Sequence, residues 1–136
     1  MSNWKENGMA MLSSESVTMG TAANGTKQIL YTVPSGKDGI ILGALIHNPT
    51  ASLAGCNDVD FGVGAACATQ AFLNNETGIA DMTSTTDYMW LTAESNDYKV
   101  IDGDDATAAN REFGIYIVAG STLAATATIK TFGIIF

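Results

Sequence analysis

The chain has 136 residues, which suits one domain with a single hydrophobic core. Its net charge is −8, from fourteen acidic and six basic residues, and such a charge repels phosphate backbones and anionic lipid. No apolar run approaches the roughly 18 residues that span a bilayer. We therefore expect no direct binding to nucleic acid and no association with a membrane.

The low content of charged residues bears on assembly. Only 15% of the residues are charged, against about 25% in an average soluble domain. A subunit that hides part of its surface in a symmetric assembly needs less charge than a lone monomer does. The composition therefore favours a homo-oligomer. The alternative is a monomer whose surface is rich in threonine, serine and asparagine.

Residues 1–14 open the chain and show neither a helix period nor a strand period. They lack the apolar core of a secretory signal and include Glu6, so we expect a protein that is made in a cytoplasm and used without processing. Tryptophan and methionine are favoured anchors at protein interfaces. We predict an N-terminal arm that docks on a neighbouring subunit, with a flexible tail as the alternative. The predicted interface residues of this arm are Trp4, Met9, Met11 and Leu12.

Residues 15–136 are predicted to form one β-sandwich domain, because short apolar runs rich in β-branched and aromatic residues alternate with turn signals. About eight short strands without a convincing amphipathic helix indicate two antiparallel sheets, packed as a jelly roll or a related Greek-key sandwich. Turn signals at 24–25, 34–37 and 119–122 are each expected to close a hairpin. The predicted strands are residues 17–19, 27–33, 39–48, 58–64, 71–73, 88–91, 98–101, 112–118 and 124–136.

The strand over residues 39–48 is apolar on both faces, which indicates that both faces are covered. Simple alternation assigns its side chains to two faces. One face holds Ile40, Leu42 and Ile46, and the other holds Ile41, Leu45 and His47. In the strand over residues 27–33, alternation groups Ile29, Tyr31 and Val33 opposite Gln28, Leu30 and Thr32.

Residues 27–48 read KQILYTVPSGKDGIILGALIHN: a strand closing in Tyr-Thr-Val-Pro, a turn with glycine and lysine, and an apolar strand ending in His-Asn. This pattern resembles the opening hairpin of small β-sandwich structural proteins of tailed-phage virions, of the head decoration or cement type. Residues 58–64 and 127–136 are similar to later strands of that family. The resemblance covers residues 27–65 and 111–136.

The resemblance implies a jelly-roll-like virion structural protein. Such a protein binds the major capsid protein and stabilises the phage head shell as an oligomer, which in this family implies a trimer, and it resides in the virion after synthesis in the host cytoplasm. The alternative is a tail-fibre, baseplate or lectin-like recognition module, since one fold serves both roles. Tyr88 and Trp90 are its candidate recognition residues, although aromatic residues at strand spacing more often belong to the core.

The sequence contains no set of residues that indicates catalysis, so we predict a protein that is not an enzyme and holds no metal or cofactor. His47 is the sole histidine, and we expect it to pack at a strand end rather than to act as a ligand. The acidic cluster within residues 97–105 lacks the glycine placement of a calcium loop, which favours a solvated turn. Cys56 and Cys67 are expected to be free thiols, with a disulfide as the alternative.

Overall fold

The computed structural model describes residues 9–67, 70–71, 76–92 and 100–136. Within these ranges the chain forms nine strands, a single-turn helix α1 (Ala108–Arg111) and two 3-10 segments, Thr21–Ala23 and Glu76–Asp81. The strands are β1 (Ala10–Thr18), β2 (Lys27–Thr32), β3 (Asp38–His47), β4 (Asp58–Val63), β5 (Gln70–Ala71), β6 (Tyr88–Thr92), β7 (Val100–Asp102), β8 (Glu112–Ala119) and β9 (Thr126–Ile135).

The strands form two antiparallel sheets, which confirms the predicted all-β sandwich. The five-stranded sheet has the order β1-β9-β3-β6, and β7 pairs with β3 as well; the four-stranded sheet has the order β2-β8-β4-β5. The pairs β1–β9, β2–β8, β3–β6 and β4–β5 are nested in sequence, as in a jelly roll. β6 and β7 pair with successive parts of β3, so together they occupy one strand position. The nine strands therefore fill eight positions.

The three predicted hairpins are wrong, although strands flank each predicted turn. β1 and β2, β2 and β3, and β8 and β9 lie in different sheets, so each turn carries the chain across the sandwich. Turn residues specify that the chain reverses direction, but they do not specify which sheet receives the next strand. Burial decides which sheet receives the next strand. In a jelly roll these successive strands lie in opposite sheets, and the inner face of each sheet is covered by the other sheet.

Three leucines each add one residue to a strand and displace its register: Leu12 in β1, Leu30 in β2 and Leu42 in β3. A β-bulge of this kind resets the alternation of side chains between the two faces. The predicted alternation in β3 is therefore wrong. Ile41 and Ile46, predicted on opposite faces, are both fully buried in the core.

The bulge in β2 has the same consequence. Ile29 pairs with Gly114 and is exposed, whereas Tyr31 pairs with the buried Phe113 and packs against the core. The predicted grouping of Ile29 with Tyr31 is therefore wrong. Leu30, the inserted residue, is itself buried in the core.

The hydrophobic core lies between the two sheets and contains buried residues from both of them. Phe61 and Phe113 stack there, with their ring centroids 6.5 Å apart. Cys56 and Cys67 are fully buried, and both are free, as predicted. Burial raises the pKa of each thiol to about 11, so both stay protonated at neutral pH.

The predicted N-terminal arm over residues 1–14 overlaps the first strand. Residues 10–14 belong to β1, where Ala10 pairs with Gly133 and Ser14 pairs with Lys130 of β9. Leu12 packs against the core, so its side chain is used within the chain. Residues 1–8 lie outside the described residues.

Candidate functional site: the outer face of the five-stranded sheet

The outer face of the five-stranded sheet carries apolar side chains on all five of its strands. Directly paired residues of neighbouring strands point to the same side of a sheet, and successive residues alternate. In β9 the buried Ile129 and Thr131 point to the core, so Phe132 and Ile134 point outward. We call this surface the apolar face. Its members are Met11, Ile40, Leu45, Tyr88, Trp90, Val100, Phe132 and Ile134.

Trp90 and Phe132 form the centre of the apolar face. Their ring centroids are 5.3 Å apart and their planes are tilted by 47°. Phe132 lies opposite Gly43 of the intervening strand β3, and this glycine has no side chain to separate the two rings. Met11 of β1 pairs with Phe132 on the side of β9 away from β3, and it extends the apolar face to β1. Trp90 is still 51% exposed, whereas Phe132 is half-buried.

Charged groups lie at two places on the apolar face. Lys130 of β9 lies between Ser14 of β1 and Leu45 of β3, in the cross-strand row that also holds Trp90. At the end next to Ile40 and Val100, Asp38 of β3 pairs directly with Asp102 of β7. Like charges placed opposite each other on neighbouring strands repel. The acidic end is therefore a place where an external cation would be favoured.

His47 lies in the last row of the apolar face, where it pairs with Tyr88 and Thr128. It is half-buried, and its Nε2 atom is buried without a hydrogen-bond partner among the described residues. Within the same part of the chain, no group of three or more histidine, cysteine or acidic residues is placed to hold a metal ion.

The edges of the five-stranded sheet carry features that oppose strand addition. At the β1 edge, the side-chain amide of Gln28 from β2 accepts a hydrogen bond from the Thr18 main-chain amide at 2.9 Å and donates one to the Thr18 main-chain carbonyl at 2.8 Å. The Gln28 side chain therefore occupies the place where a further strand would pair. The bulge at Leu12 and the exposed charge of Glu15, which pairs with the buried Ile129, also interrupt this edge. On the other edge, β6 and β7 have only five and three residues. Short, bulged or charged edges disfavour edge-to-edge association.

The outer face of the four-stranded sheet is covered in a different way. The Lys27 ammonium donates hydrogen bonds to three main-chain carbonyls, those of Gly64 at 3.0 Å, Ala109 at 3.2 Å and Glu112 at 2.7 Å. Its aliphatic chain lies over Gly114, where a Cβ atom would lie 2.9 Å from Lys27 Cε. This lysine therefore ties β2, the end of β4 and α1 together.

The acidic turn after β7 uses its carboxylates locally. Asp104 Oδ1 accepts hydrogen bonds from the Ser35 hydroxyl at 2.6 Å and from the Gly36 amide at 2.9 Å, and these bonds lower the pKa of Asp104. Asp102 Oδ1 accepts one from the Asp104 amide at 2.8 Å. The carboxylates thus fasten the turn after β7 to the turn between β2 and β3. Asp97, the remaining member of the predicted cluster, lies outside the described residues.

A cavity of about 300 Å³ adjoins the apolar face at Tyr88. Asp87 is part of its wall, and one oxygen of its carboxylate accepts a hydrogen bond from the Ser84 amide at 2.8 Å. The cavity adds polar groups beside the exposed tyrosine ring. The remaining wall residues are Asp81, Met82, Thr86 and Met89.

The structure brings together residues that the sequence assigned to different roles. Met11, predicted as an interface residue, and Tyr88 and Trp90, predicted as recognition residues, all lie on the apolar face. Met9 is 60% exposed just before β1, while Trp4 lies outside the described residues.

Sequence reasoning missed most of the apolar face. Phe132 and Ile134 in the last strand are missing from the predicted sites, as are Ile40, Leu45 and Val100 in β3 and β7. The available signal was apolar residues at successive positions of β3 and β9, which require cover on both sides of the sheet. That cover is present on the inner side, where the core lies.

Comparison of the chain with protein-family models, with curated proteins and with solved structures finds no match. Among the described residues, no helix has the length and apolar character needed to cross a membrane. The function is therefore inferred from the geometry of the apolar face and from the sequence pattern.

Proposed function

We propose that this protein is a structural subunit of a phage virion, of the capsid decoration or cement type, which acts as a homo-oligomer and binds the major capsid protein. The observation that carries the proposal is the apolar face, a continuous surface with the Trp90–Phe132 cluster at its centre. Contiguous exposed apolar side chains on a small domain are typical of a protein-binding site. The assignment to a virion rests on the sequence resemblance of residues 27–65 and 111–136.

The mechanism that fits such a subunit is stabilisation by binding. A protein that binds only the assembled shell lowers the free energy of that state, and mass action then favours assembly. The guarded edges of the five-stranded sheet support association through a face rather than through strand addition. Strand addition would also allow open-ended growth, which a subunit with a fixed place on a particle has to avoid.

Quantitative mass spectrometry of purified particles from the source tests this proposal. The amount of this chain is measured relative to the major shell protein. A ratio near one copy per shell subunit supports a decoration protein. A handful of copies per particle places the chain in the tail, and absence from particles contradicts a virion role.

The predicted arm requires its own test, because the structure changes where the deletion has to end. Residues 10–14 pair with β9, so removing residues 1–14 would damage the sheet. Removing residues 1–8 leaves β1 intact and removes Trp4. We expect this shorter deletion to reduce binding to particles while the melting temperature stays unchanged. Unchanged binding would contradict a role for the arm.

A second candidate function is recognition of a carbohydrate by a tail-fibre, baseplate or lectin-like module. It is favoured by Tyr88, which is 69% exposed, beside Trp90 and the polar cavity that includes Asp87. Exposed aromatic rings stack on sugars, and nearby polar groups fix the orientation of the ligand. A glycan array tests this function, with Trp90→Ala as the variant that has to lose the signal. An array without signal for the unmodified protein contradicts it.

A further inference from the structure

We propose that residues 1–8 of one copy lie as an extended segment along the apolar face of a neighbouring copy, with Trp4 over Phe132 and Glu6 over Lys130. This inference deepens the proposed function and rests on it for the premise that the protein acts as a homo-oligomer. It assigns the apolar face a partner of known sequence, the predicted arm of the same chain.

The outer side of β9 provides two different contacts at a fixed spacing. Phe132 and Lys130 flank the buried Thr131, so both point outward, and they lie about 7 Å apart along the strand. Phe132 belongs to the aromatic cluster with Trp90. Among the described residues, no acidic side chain forms an ion pair with the Lys130 ammonium group. An aromatic contact is therefore followed, two residues along, by an unpaired cation.

Residues 1–8 carry the complementary groups at the same spacing. Trp4 and Glu6 are two residues apart, so in an extended segment they point to the same side, about 7 Å from each other. Lys5 lies between them and points to the opposite side. Tryptophan is a favoured anchor at the centre of an interface, and Glu6 is the single acidic residue of the segment. The segment therefore matches the outer side of β9 in spacing and in charge.

The charges select the direction in which the segment runs. With Trp4 over Phe132, an extended segment has two possible directions along β9. One direction places Glu6 over Lys130, and the other places it over Ile134, an apolar residue nearer to the acidic end of the face. A carboxylate placed against an apolar side chain loses hydration without gaining a cation. The direction that brings Glu6 to Lys130 is therefore favoured.

This direction requires the segment of another copy. If Glu6 lies over Lys130, the same spacing places Gly8 level with Thr128. Within one chain, however, Ala10 pairs with Gly133, which is about 16 Å from Thr128 along β9. The two steps from Gly8 to Ala10 span at most about 7 Å. One chain cannot occupy both places, so the segment has to come from a neighbour.

The length of the segment also suits the face. In the same register Ser2 lies over Ile134, and Gly8 lies over the row that contains Thr128 and Tyr88. A segment of eight residues therefore extends from Ile134 to the last row of the apolar face. Layers of extended chain that pack face to face lie about 10 Å apart, a gap that the Trp4 side chain can fill.

Charge exchange tests the proposal. Sedimentation equilibrium over a range of concentrations gives the midpoint concentration of self-association for the full chain and for the variants Glu6→Lys, Lys130→Glu and the two combined. Each single variant places like charges together, and we expect the midpoint to rise at least about tenfold. In the double variant opposite charges face each other again, and we expect a return to within about threefold of the unmodified chain.

A mixture of the two single variants tests whether the contact joins different copies. Each variant supplies the charged group that the other lacks, provided that the segment of one copy lies on the face of the other. We expect the equimolar mixture to associate at a lower concentration than either variant alone. A contact within one copy gives no such gain, because mixing leaves every chain with its own repulsion.

Matched controls separate this contact from an effect of net charge. Lys5→Glu changes the net charge as Lys130→Glu does, and Asp58→Lys, at an exposed position of β4, changes it as Glu6→Lys does. We expect both controls to leave the midpoint unchanged. Trp4→Ala precedes β1 and keeps the test decisive if Lys130→Glu fails to fold, as melting temperatures show. We expect Trp4→Ala to raise the midpoint roughly thirtyfold.

Three outcomes overturn the inference: a monomer at every concentration, a Trp4→Ala variant with unchanged self-association, or a mixture of folded single variants that associates no better than each one alone. The copy number in particles is measured separately. A protein that is abundant in particles, and whose Trp4→Ala variant self-associates normally, overturns the arm contact and leaves the proposed function standing.

Discussion

The outer faces of the two sheets differ in how their polar and apolar groups are used. On the four-stranded sheet, the Lys27 side chain lies over Gly114 and its ammonium group bonds three carbonyls of the same chain. On the five-stranded sheet, Lys130 lies in the same cross-strand row as Leu45 and Trp90, and the tryptophan is 51% exposed. The chain's own lysine thus covers part of the first face, where Ile29 remains 50% exposed. The second face retains apolar surface whose burial requires a partner.

This difference teaches that two β-sheets of one sandwich can serve separate purposes. The contacts of Lys27 contribute to folding, because they exist within a single chain. Residues on the apolar face contribute little to the fold of one copy, and their effect is expected in association. Matched substitutions on the two faces, and in the core between them, separate these roles.

The largest expected effect comes from a comparison of two phenylalanines. Phe61→Ala removes a fully buried ring from the core and leaves a cavity, so we expect the free energy of unfolding to fall by about 3–5 kcal/mol. Phe132→Ala removes a ring of the apolar face, and we expect a loss of about 1 kcal/mol, the scale of its contact with Trp90. Urea unfolding at a concentration where the protein is monomeric measures both. Equal losses would contradict the division of roles.

The next effect separates the two lysines. Lys27→Met keeps the aliphatic chain but removes the ammonium donor, and we expect the free energy of unfolding to fall by about 2–3 kcal/mol. Lys130→Met is the matched control, expected to change it by less than about 0.5 kcal/mol. Thermal unfolding of the two variants in the same buffer gives the difference. A larger loss for Lys130→Met would reverse the assignment of the faces.

A third comparison concerns association. Trp90→Ala removes the central anchor of the apolar face, and we expect self-association or particle binding to weaken by about 2 kcal/mol, or roughly thirtyfold. Tyr116→Ala, on the outer face of the four-stranded sheet, is the matched control and should leave association unchanged. Sedimentation or particle-binding assays measure both variants. If Tyr116→Ala weakens association and Trp90→Ala does not, the partner binds the other sheet.

The smallest effects depend on pH and have opposite signs. Hydrogen bonds from Ser35 and Gly36 lower the pKa of Asp104 from its ordinary value of 3.8. The ionised carboxylate therefore stabilises the fold above pH 3.8, and this stabilisation is lost as the pH falls through the lowered pKa. Burial raises the pKa of Asp60 above 3.8, and the charge of Asp58 raises it further. The contribution of the protonated Asp60 to stability is therefore fully present below pH 3.8, and it declines as the pH rises through the raised pKa.

Two isosteric variants test these signs at neutral pH. We expect Asp104→Asn to lower the melting temperature slightly and Asp60→Asn to raise it slightly. Melting curves between pH 3 and pH 7 should show that each variant loses the pH dependence contributed by its own carboxyl group. Shifts in the same direction for both variants would contradict the assigned causes.

Much of the fold could be predicted from the sequence because β-branched runs and turn signals are local. The strands around residues 27–33, 39–48, 58–64 and 112–118 are all present. The pairing could not be predicted, because the turn at 34–37 contains the same residues whether it closes a hairpin or crosses between sheets. The bulges at Leu12, Leu30 and Leu42 have no local signature either, since leucine fits a regular strand equally well.

The candidate site was only partly predictable for the same physical reason. Met11, Tyr88 and Trp90 could be selected as apolar residues without an obvious core position. Their proximity could not be predicted, because β1, β9, β3 and β6 become neighbours only through the nested pairing of the jelly roll. The bulge at Leu42 also sets which β3 residues reach the outer side, and so decides that Leu45 faces the same way as Ile40.

Hydroxyl-radical footprinting tests the central claim most directly, because it compares the two outer faces in one experiment. The reactivity of individual side chains is measured by mass spectrometry for the dilute chain and for the assembled protein or purified particles. We predict that Met11, Tyr88 and Trp90 lose reactivity on assembly, while Tyr116 and Ile29 remain as reactive as in the dilute chain. Protection of Tyr116 and Ile29, with Tyr88 and Trp90 unchanged, would contradict the account.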